Sequence, residues 1–270
     1  MNLFNLRKTL KDEFKKNDID AEDVDFICSE VLNIKRTELC LVDEISSEQE
    51  NEIQQACKKR LQNLPVEKIF NKAYFYGLEF VVDNNVLSPR PETEILVETA
   101  LKYIKENEYN SVLDLCTGSG CIAVSIKKNA DVKVMASDVS AKALKIAKQN
   151  ATKNGVEINF IRSDMFEKIE DKFDLIVSNP PYIDTAEIET LDKEVQCYDP
   201  MIALDGGDFG LKFYNIIHNE AKKHLNSNGM LIMEIGDEQK DLIMSLYNDF
   251  QFVEIKKDIE GHDRIMVFKR

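Results

Sequence analysis

The chain has 270 residues, with 49 acidic against 35 basic side chains and a formal net charge of −14. That length suits one main domain with a smaller companion, and the charge argues against a protein that holds nucleic acid by neutralising its phosphates. No stretch is long and apolar enough to span a membrane, and the residues from Met1 to Lys8 lack the apolar core of a signal peptide, so a soluble, cytoplasmic protein is expected.

Residues 3 to about 70 carry helical periodicity. Leu3, Leu6, Leu10 and Phe14 form one apolar stripe, and Val24, Ile27, Val31 and Leu32 form a second after acidic residues suited to a helix start. Glu48 to Leu64 reads as a third helix, ended by Pro65. The pattern predicts a small helical bundle over residues 1–72, which carries no catalytic spacing and serves as a docking element or a scaffold. From Tyr74 the period changes. Phe75 to Val82, a turn at Asp83-Asn84-Asn85, and Val86-Leu87 predict a β-hairpin linking the domains over residues 73–88. Arg90 then stands between Pro89 and Pro91, a stiff segment suited to folding over a ligand, and Pro91, Glu92 and Glu94 suit the first turn of a helix running to about Glu106.

From residue 112 strands and helices alternate regularly. Val112–Leu115 is a strand, Gly118 to Lys128 turns into a helix, Val132 to Ser137 is a strand ending at Asp138, and Ala141 to Lys153 is a helix. Ile158 to Arg162 and Phe173 to Ser178 are further strands, the latter a continuous apolar run of the kind buried in parallel sheets. The fold class expected over residues 89–270 is therefore α/β, a doubly wound parallel sheet. Residues 183–210 read as a loop-like insertion at a strand's carboxyl end. Leu211 to Leu225 is a helix, Asn228-Gly229 a turn, Met230 to Ile235 a strand, residues 238–248 a helix, and Phe252 to Lys256 with Arg264 to Phe268 a closing antiparallel pair around Gly261. The six cysteines, at 28, 40, 57, 116, 121 and 197, show neither Cys-x-x-Cys pairs nor zinc spacing, which fits a reducing compartment and no metal site.

Asp114-Leu115-Cys116-Thr117-Gly118-Ser119-Gly120 joins the first strand of the sheet to its helix. Gly118 and Gly120 permit a tight turn and close approach of a ligand, and Asp138 sits at the usual distance for gripping ribose hydroxyls, a pattern common to NAD and S-adenosylmethionine sites. Two features separate those ligands. Asp114 would repel a pyrophosphate and could face the ammonium of a methionine moiety. Asp164, with Met165 and Phe166, places a carboxylate and soft or aromatic side chains where an adenine edge and face could be held. Asp114, Gly118, Gly120, Asp138 and Asp164 together favour S-adenosylmethionine.

Val177-Ser178-Asn179-Pro180-Pro181-Tyr182 closes the apolar strand, because two prolines forbid its continuation. Asn179 thereby stands at a carboxyl strand end, where open α/β sheets do their chemistry. Its carboxamide oxygen and the neighbouring carbonyls are acceptors, and beside the flat Tyr182 ring they suit a planar group carrying an NH2. Hydrogen bonds from that nitrogen to the Asn179 side chain and the Pro180 carbonyl would turn its lone pair toward a sulfonium methyl, with Tyr182 stacked on the flat group. Such a site works by positioning and needs no strong base.

These residues resemble the peptide chain release factor glutamine N5-methyltransferases, the HemK/PrmC group, over nearly the whole chain. The resemblance rests on Phe75-Tyr76-Gly77, Pro89 to Glu94, Asp114 to Gly120, Asn179 to Tyr182, Tyr198-Asp199-Pro200, Ala203 to Gly207 and Gly261-His262-Asp263-Arg264. Asn-Pro-Pro-Tyr alone also marks DNA amino-methyltransferases. The resemblance implies a seven-stranded class I S-adenosylmethionine-dependent methyltransferase domain and a helical N-terminal domain that contacts the factor. It implies methylation of the glutamine side-chain amide in the Gly-Gly-Gln motif of translation release factors. By the same resemblance Cys116, Thr117, Gly118, Ser119, Gly120, Asp138, Met165 and Asn179 line the cofactor pocket, and Asn179, Pro180, Pro181 and Tyr182 hold the glutamine. Cys116 occupies a place often held by Gly, Met165 one that can hold an aromatic, and Ser88 one usually apolar. A monomer is expected. A nucleic-acid exocyclic amino-methyltransferase is the first alternative, disfavoured by the acidic balance, and a non-catalytic nucleotide-binding protein the second, disfavoured by the amide clamp.

Overall fold

The structure, a computed structural model, describes residues 1–270. They divide into two compact units, Met1–Lys72 with Lys193–Tyr198, and Ala73–Asp192 with Asp199–Arg270. No helix is long and apolar enough to cross a membrane.

The first unit is built from α1 (Leu3–Lys16), α2 (Asp23–Leu32), α3 (Ser47–Arg60) and α4 (Val66–Phe70). Asn2 caps α1 by accepting from the Asn5 amide, and Ser46 with Gln49 forms a reciprocal capping box on α3. The apolar stripes of α1 and α2 meet Ile53, Ala56 and Cys57 of α3 in one core. The third helix stops at Arg60, ahead of the expected end, and Pro65 serves to start α4. Buried Arg60 reaches Asp23 at 2.6 Å and Glu194 at 2.8 Å, which ties the segment Lys193–Tyr198 into this unit.

The second unit opens with a hairpin of β1 (Lys72–Phe75) and β2 (Leu78–Val81). Its turn is Tyr76-Gly77, not Asp83-Asn84-Asn85: both residues have positive φ, 50° and 71°, as a two-residue hairpin loop of matching twist demands. Asp83 instead closes a local turn by accepting from the Asn85 amide. Phe75 and Phe80 meet edge to face, centroids 6.1 Å apart, and join the unit's core.

The chain then runs through α5 (Glu94–Asn107), β3 (Ser111–Leu115), α6 (Cys121–Asn129), β4 (Lys133–Asp138), α7 (Ala141–Lys153), β5 (Asn159–Arg162) and β6 (Phe173–Ser178). It continues through α8 (Lys193–Tyr198), α9 (Lys212–His224), β7 (Leu225–Glu234), α10 (Lys240–Leu246), β8 (Gln251–Lys257) and β9 (Asp263–Lys269). The insertion at 183–210 is organised by short helical turns at Thr185–Thr190, Met201–Ala203 and Asp208–Gly210 as well as α8. Strand β7 begins earlier than expected. Leu225 pairs with Phe173 and Met230 with Leu175, so residues 226–229 form a bulge within the strand rather than a turn before it.

Seven strands form one sheet in the order β5-β4-β3-β6-β7-β9-β8, parallel except for β9, which is antiparallel to both neighbours. Alternate residues face opposite layers. Val112, Leu175, Val177 and Ile232 pack under α5 and α6, while Leu113, Ile176, Leu231 and Met233 pack under α9 and α10. The strand order reverses between β3 and β6, and their register sets Leu115 beside Ser178. The glycine turn after β3 and the proline turn after β6 therefore leave the sheet side by side.

Asn150 of α7 stands in for a missing strand partner. Its fully buried side chain accepts from Val81 N at 2.7 Å and donates to Val81 O and Ser119 O, both at 2.9 Å. It thus fastens β2 and the glycine turn to one helix. Asn150→Ala leaves three backbone groups without these partners and should lower unfolding free energy by about 3 kcal/mol. Equilibrium denaturation checks this, and a loss under about 1 kcal/mol would contradict the fastening role.

Candidate active site

A cleft of about 950 Å³, counted with its open mouth, lies at the carboxyl ends of β3, β4 and β6. Its floor is the turn after β3. Cys116, Thr117, Gly118 and Ser119 line it, whereas Asp114 and Gly120 lie behind. Cys116 adopts a left-handed conformation with φ 59°, which accounts for the glycine that the resemblance associates with this place. Gly120, with φ 80°, brings the start of α6 against α7: a Cβ there would stand 3.0 Å from that of Ala147.

Asp114 is fully buried and corrects an expectation. Its Oδ2 accepts from Thr117 Oγ1 at 2.6 Å and from Ala123 N at 3.2 Å, so it braces the turn against α6 and does not face a ligand ammonium across the cleft. Its Oδ1 has no hydrogen-bond partner. Burial first of all, with the charge of Asp138 adding to it, pushes the carboxyl up to about 7.

Asp138, at the end of β4, borders the cleft. Its Oδ2 accepts from Gly118 N at 2.9 Å and its Oδ1 from Ser140 N at 2.8 Å. The Gly118 amide, which a bound phosphate would need, is thus already given to a carboxylate. Asp164 lies exposed on the rim, and Met165 is buried in the wall with its Sδ 3.7 Å from Cys116 Sγ. Phe166 departs from its expected place: it is buried in the same core cluster as Met165, stacked on His224 at 4.9 Å, and of the two only Met165 lines the cleft. Apolar Val86, Leu87, Ile122, Val139 and Ala143 complete that wall. Two carboxylates beside an apolar slot fit a cationic nucleoside and oppose a pyrophosphate.

Asn179 and Pro181 line the cleft next to this floor; Pro180 and Tyr182 do not. Ser178 Oγ donates to Leu115 O at 3.0 Å, locking the two strand ends together. The Tyr182 ring packs into the layer under α9, and its hydroxyl points toward Glu234 Oε1 at 3.5 Å rather than presenting a stacking face to the cleft. The loop at 206–210 clamps this turn from outside. A Cβ on Gly206 would come within 2.8 Å of Tyr182 Cα and 2.9 Å of Pro181 O, so only glycine allows the two backbones to touch. Gln239 adds a hydrogen bond from Nε2 to Tyr182 O at 2.9 Å. Arg90 borders the cleft as well, held by Asp199 at 3.2 Å, with Pro200, Ile202 and Ala203 beside it.

Two residues that sequence reasoning passed over stand behind Asn179. Thr93 receives a hydrogen bond from Asn179 Nδ2 at 3.3 Å and donates to Glu234 Oε2 at 2.6 Å. Glu234 is fully enclosed at the end of β7, and burial raises its carboxyl to about 7 against the opposing effects of Thr93, Arg264 and Asn179. A charged residue ending the apolar run Met230-Leu231-Ile232-Met233 was the available signal.

The fold and the cleft define a doubly wound methyltransferase. Residues 79–195 match the family described as methyltransferase small domain, and residues 5–70 match the PrmC N-terminal domain. The chain is 40% identical to a release factor glutamine methyltransferase of Thermodesulfovibrio yellowstonii, over 97% of this chain and 96% of that one. It is 39% identical to one of Clostridium acetobutylicum, over 99% and 95%. Among solved structures, a methyltransferase from Pyrococcus furiosus shares the fold with a TM-score of 0.55 at 20% identity, covering 78% of this chain and 98% of that one. The chain belongs to the release factor glutamine methyltransferase family. It is an enzyme, and S-adenosylmethionine is its cofactor.

The raised Asp114 carboxyl has a thermodynamic consequence. The folded protein holds this proton more tightly than the unfolded chain, so the stability it confers is present below the unfolded value of 3.8 and is lost as pH rises through about 7. Asp114→Asn removes the titration and keeps an acceptor for Thr117. The stability of the wild type relative to Asp114→Asn should therefore fall between about pH 4 and pH 8. A difference that stays flat across that range in chemical denaturation would refute the assignment.

Proposed function

We propose that this protein methylates the side-chain amide nitrogen, N5, of the glutamine in the Gly-Gly-Gln motif of a translation release factor. The observation that carries the reading is Asn179 at the end of β6, bordering the cleft directly beside the glycine turn of β3. The names of the relatives, release factor glutamine methyltransferases, supply the substrate.

In this reading Cys116, Thr117, Gly118 and Ser119 cradle the cofactor, with Asp138 receiving its ribose hydroxyls and Asp164 and Met165 flanking its adenine. Asp114 and Gly120 act from behind, by fixing the turn. S-adenosylmethionine supplies an electrophilic methyl on a sulfonium. An amide nitrogen is a poor nucleophile because its lone pair is delocalised, so the chain's contribution is alignment. The Asn179 side-chain oxygen accepts from the glutamine NH2 and directs its lone pair, Pro181 walls the approach, and Pro180 and Tyr182, set back from the cleft, keep the turn rigid. Alignment of this kind is worth effective molarities of about 10⁵ M or more. The carboxylate-bearing cleft favours a transition state in which positive charge is dispersed. Residues 1–72 serve as the docking domain for the factor, the hairpin at 73–88 as the connection, and residues 89–270 as the transferase.

Wild-type protein with labelled methyl donor should label a release factor on that glutamine and leave nucleic acid unlabelled. Methylated nucleic acid beside an untouched factor would overturn the reading. Asn179→Ala should slow transfer about 100-fold or more while donor affinity stays within about tenfold, because the contact strengthens in the transition state. Single-turnover rates and donor titration separate the two effects.

A further inference from the structure

Which end of the Asn179 carboxamide meets the substrate decides whether the site attracts an NH2 or repels it. The oxygen accepts, whereas the nitrogen would set donor against donor. In this protein the choice is fixed from behind. Thr93, the residue ahead of α5, is 2% exposed, and so is Glu234. Thr93 has one hydroxyl hydrogen, and it is given to Glu234 Oε2, 2.6 Å away, an oxygen with no proton of its own once the Glu234 carboxyl, raised to about 7, is ionised. The Thr93 hydrogen therefore goes to Glu234, and the Thr93 oxygen is left only with lone pairs toward Asn179, 3.3 Å off. Only the Asn179 NH2 can complement them. The carboxamide oxygen is thereby turned to the cleft.

We propose that Thr93 and Glu234 form a positioning pair that dictates the orientation of the Asn179 carboxamide and so makes the cleft selective for an NH2-bearing substrate. The inference rests on the amide-transfer reading. On its other oxygen Glu234 meets a second donor, the Tyr182 hydroxyl, 3.5 Å from Oε1, and the Arg264 charge works against burial in favour of the ionised form. In a Glu234→Gln protein an NH2 replaces one carboxylate oxygen. A hydroxyl facing that NH2 must accept, which frees the Thr93 hydrogen to point at Asn179 and invites the carboxamide to turn over.

Thr93→Val keeps the shape and removes the hydroxyl; Thr93→Ser restores it. Thr93→Val should lower kcat about tenfold or more with KM for S-adenosylmethionine within about threefold, and Thr93→Ser should stay within about threefold of wild type. A second readout needs no substrate. In protein labelled with 15N at asparagine, the Asn179 side-chain NH2 hydrogens should be protected from solvent exchange in the wild type and in Thr93→Ser, and should exchange at least about tenfold faster in Thr93→Val, since one lost hydrogen bond is worth about that factor. Glu234→Gln should show the same loss of kcat and the same faster exchange, and it supplies the test should Thr93→Val fold poorly. Unchanged exchange in a folded Thr93→Val or Glu234→Gln protein, or full kcat in either, overturns the proposal. If the wild type leaves the glutamine untouched, the substrate reading fails while the exchange experiment still judges the pair.

Discussion

Parallel pairing of β3 with β6, Leu115 opposite Ser178, brings together two turns that lie over sixty residues apart in the chain. The hydrogen bond from Ser178 Oγ to Leu115 O fixes their separation at the point where both strands leave the sheet. One turn can bend tightly because it carries glycines and the other cannot continue because it carries prolines. Open α/β sheets offer a ligand crevice at such a reversal of strand order, and here both sides of the crevice carry chemistry. A shift of one residue in that pairing would turn alternate side chains to the wrong layer of a sheet buried on both faces, so register and site are specified by the same apolar residues.

Behind the cleft lies a layer of buried polar groups, each assigned to one piece of wall. Asp114 holds the Thr117 hydroxyl and the Ala123 amide, Asn150 holds Ser119 and Val81, and Glu234 holds Thr93. In a low-dielectric interior such groups are costly unless paired, and a paired group is correspondingly stiff. The cost is visible in the raised carboxyls of Asp114 and Glu234. A site that acts by alignment requires stiffness more than it requires strong acids or bases.

The sheet, its order of helices and the place of Asn179 were legible in sequence because each leaves a local signature: a continuous apolar run, a pair of glycines, a pair of prolines. The Asp138 carboxylate was legible from its distance after the glycines. Asp114 was legible as important but not in its orientation, since a carboxylate at the end of a strand can point into a cleft or into a helix start with the same sequence around it. Glu234 left the faint mark of a charge ending an apolar run, while Thr93 between Glu92 and Glu94 and Asn150 beside Gln149 left none, and their partners lie 141, 86 and 69 residues away. The hairpin turn was misplaced because Asp83-Asn84-Asn85 has better turn composition than Tyr76-Gly77, yet backbone twist, not composition, selects the loop that joins two strands.

The helical unit is not a continuous stretch of sequence, since Lys193–Tyr198 belongs to it and Glu194 is gripped by Arg60. Evolution or engineering cannot excise it with a single cut. A shortened chain starting at residue 73 would retain Glu194 and the helix that bears it while discarding the guanidinium that anchors them. The border between the two units is topological as much as spatial, and a free-standing transferase made from this chain would need its insertion redesigned along with its beginning.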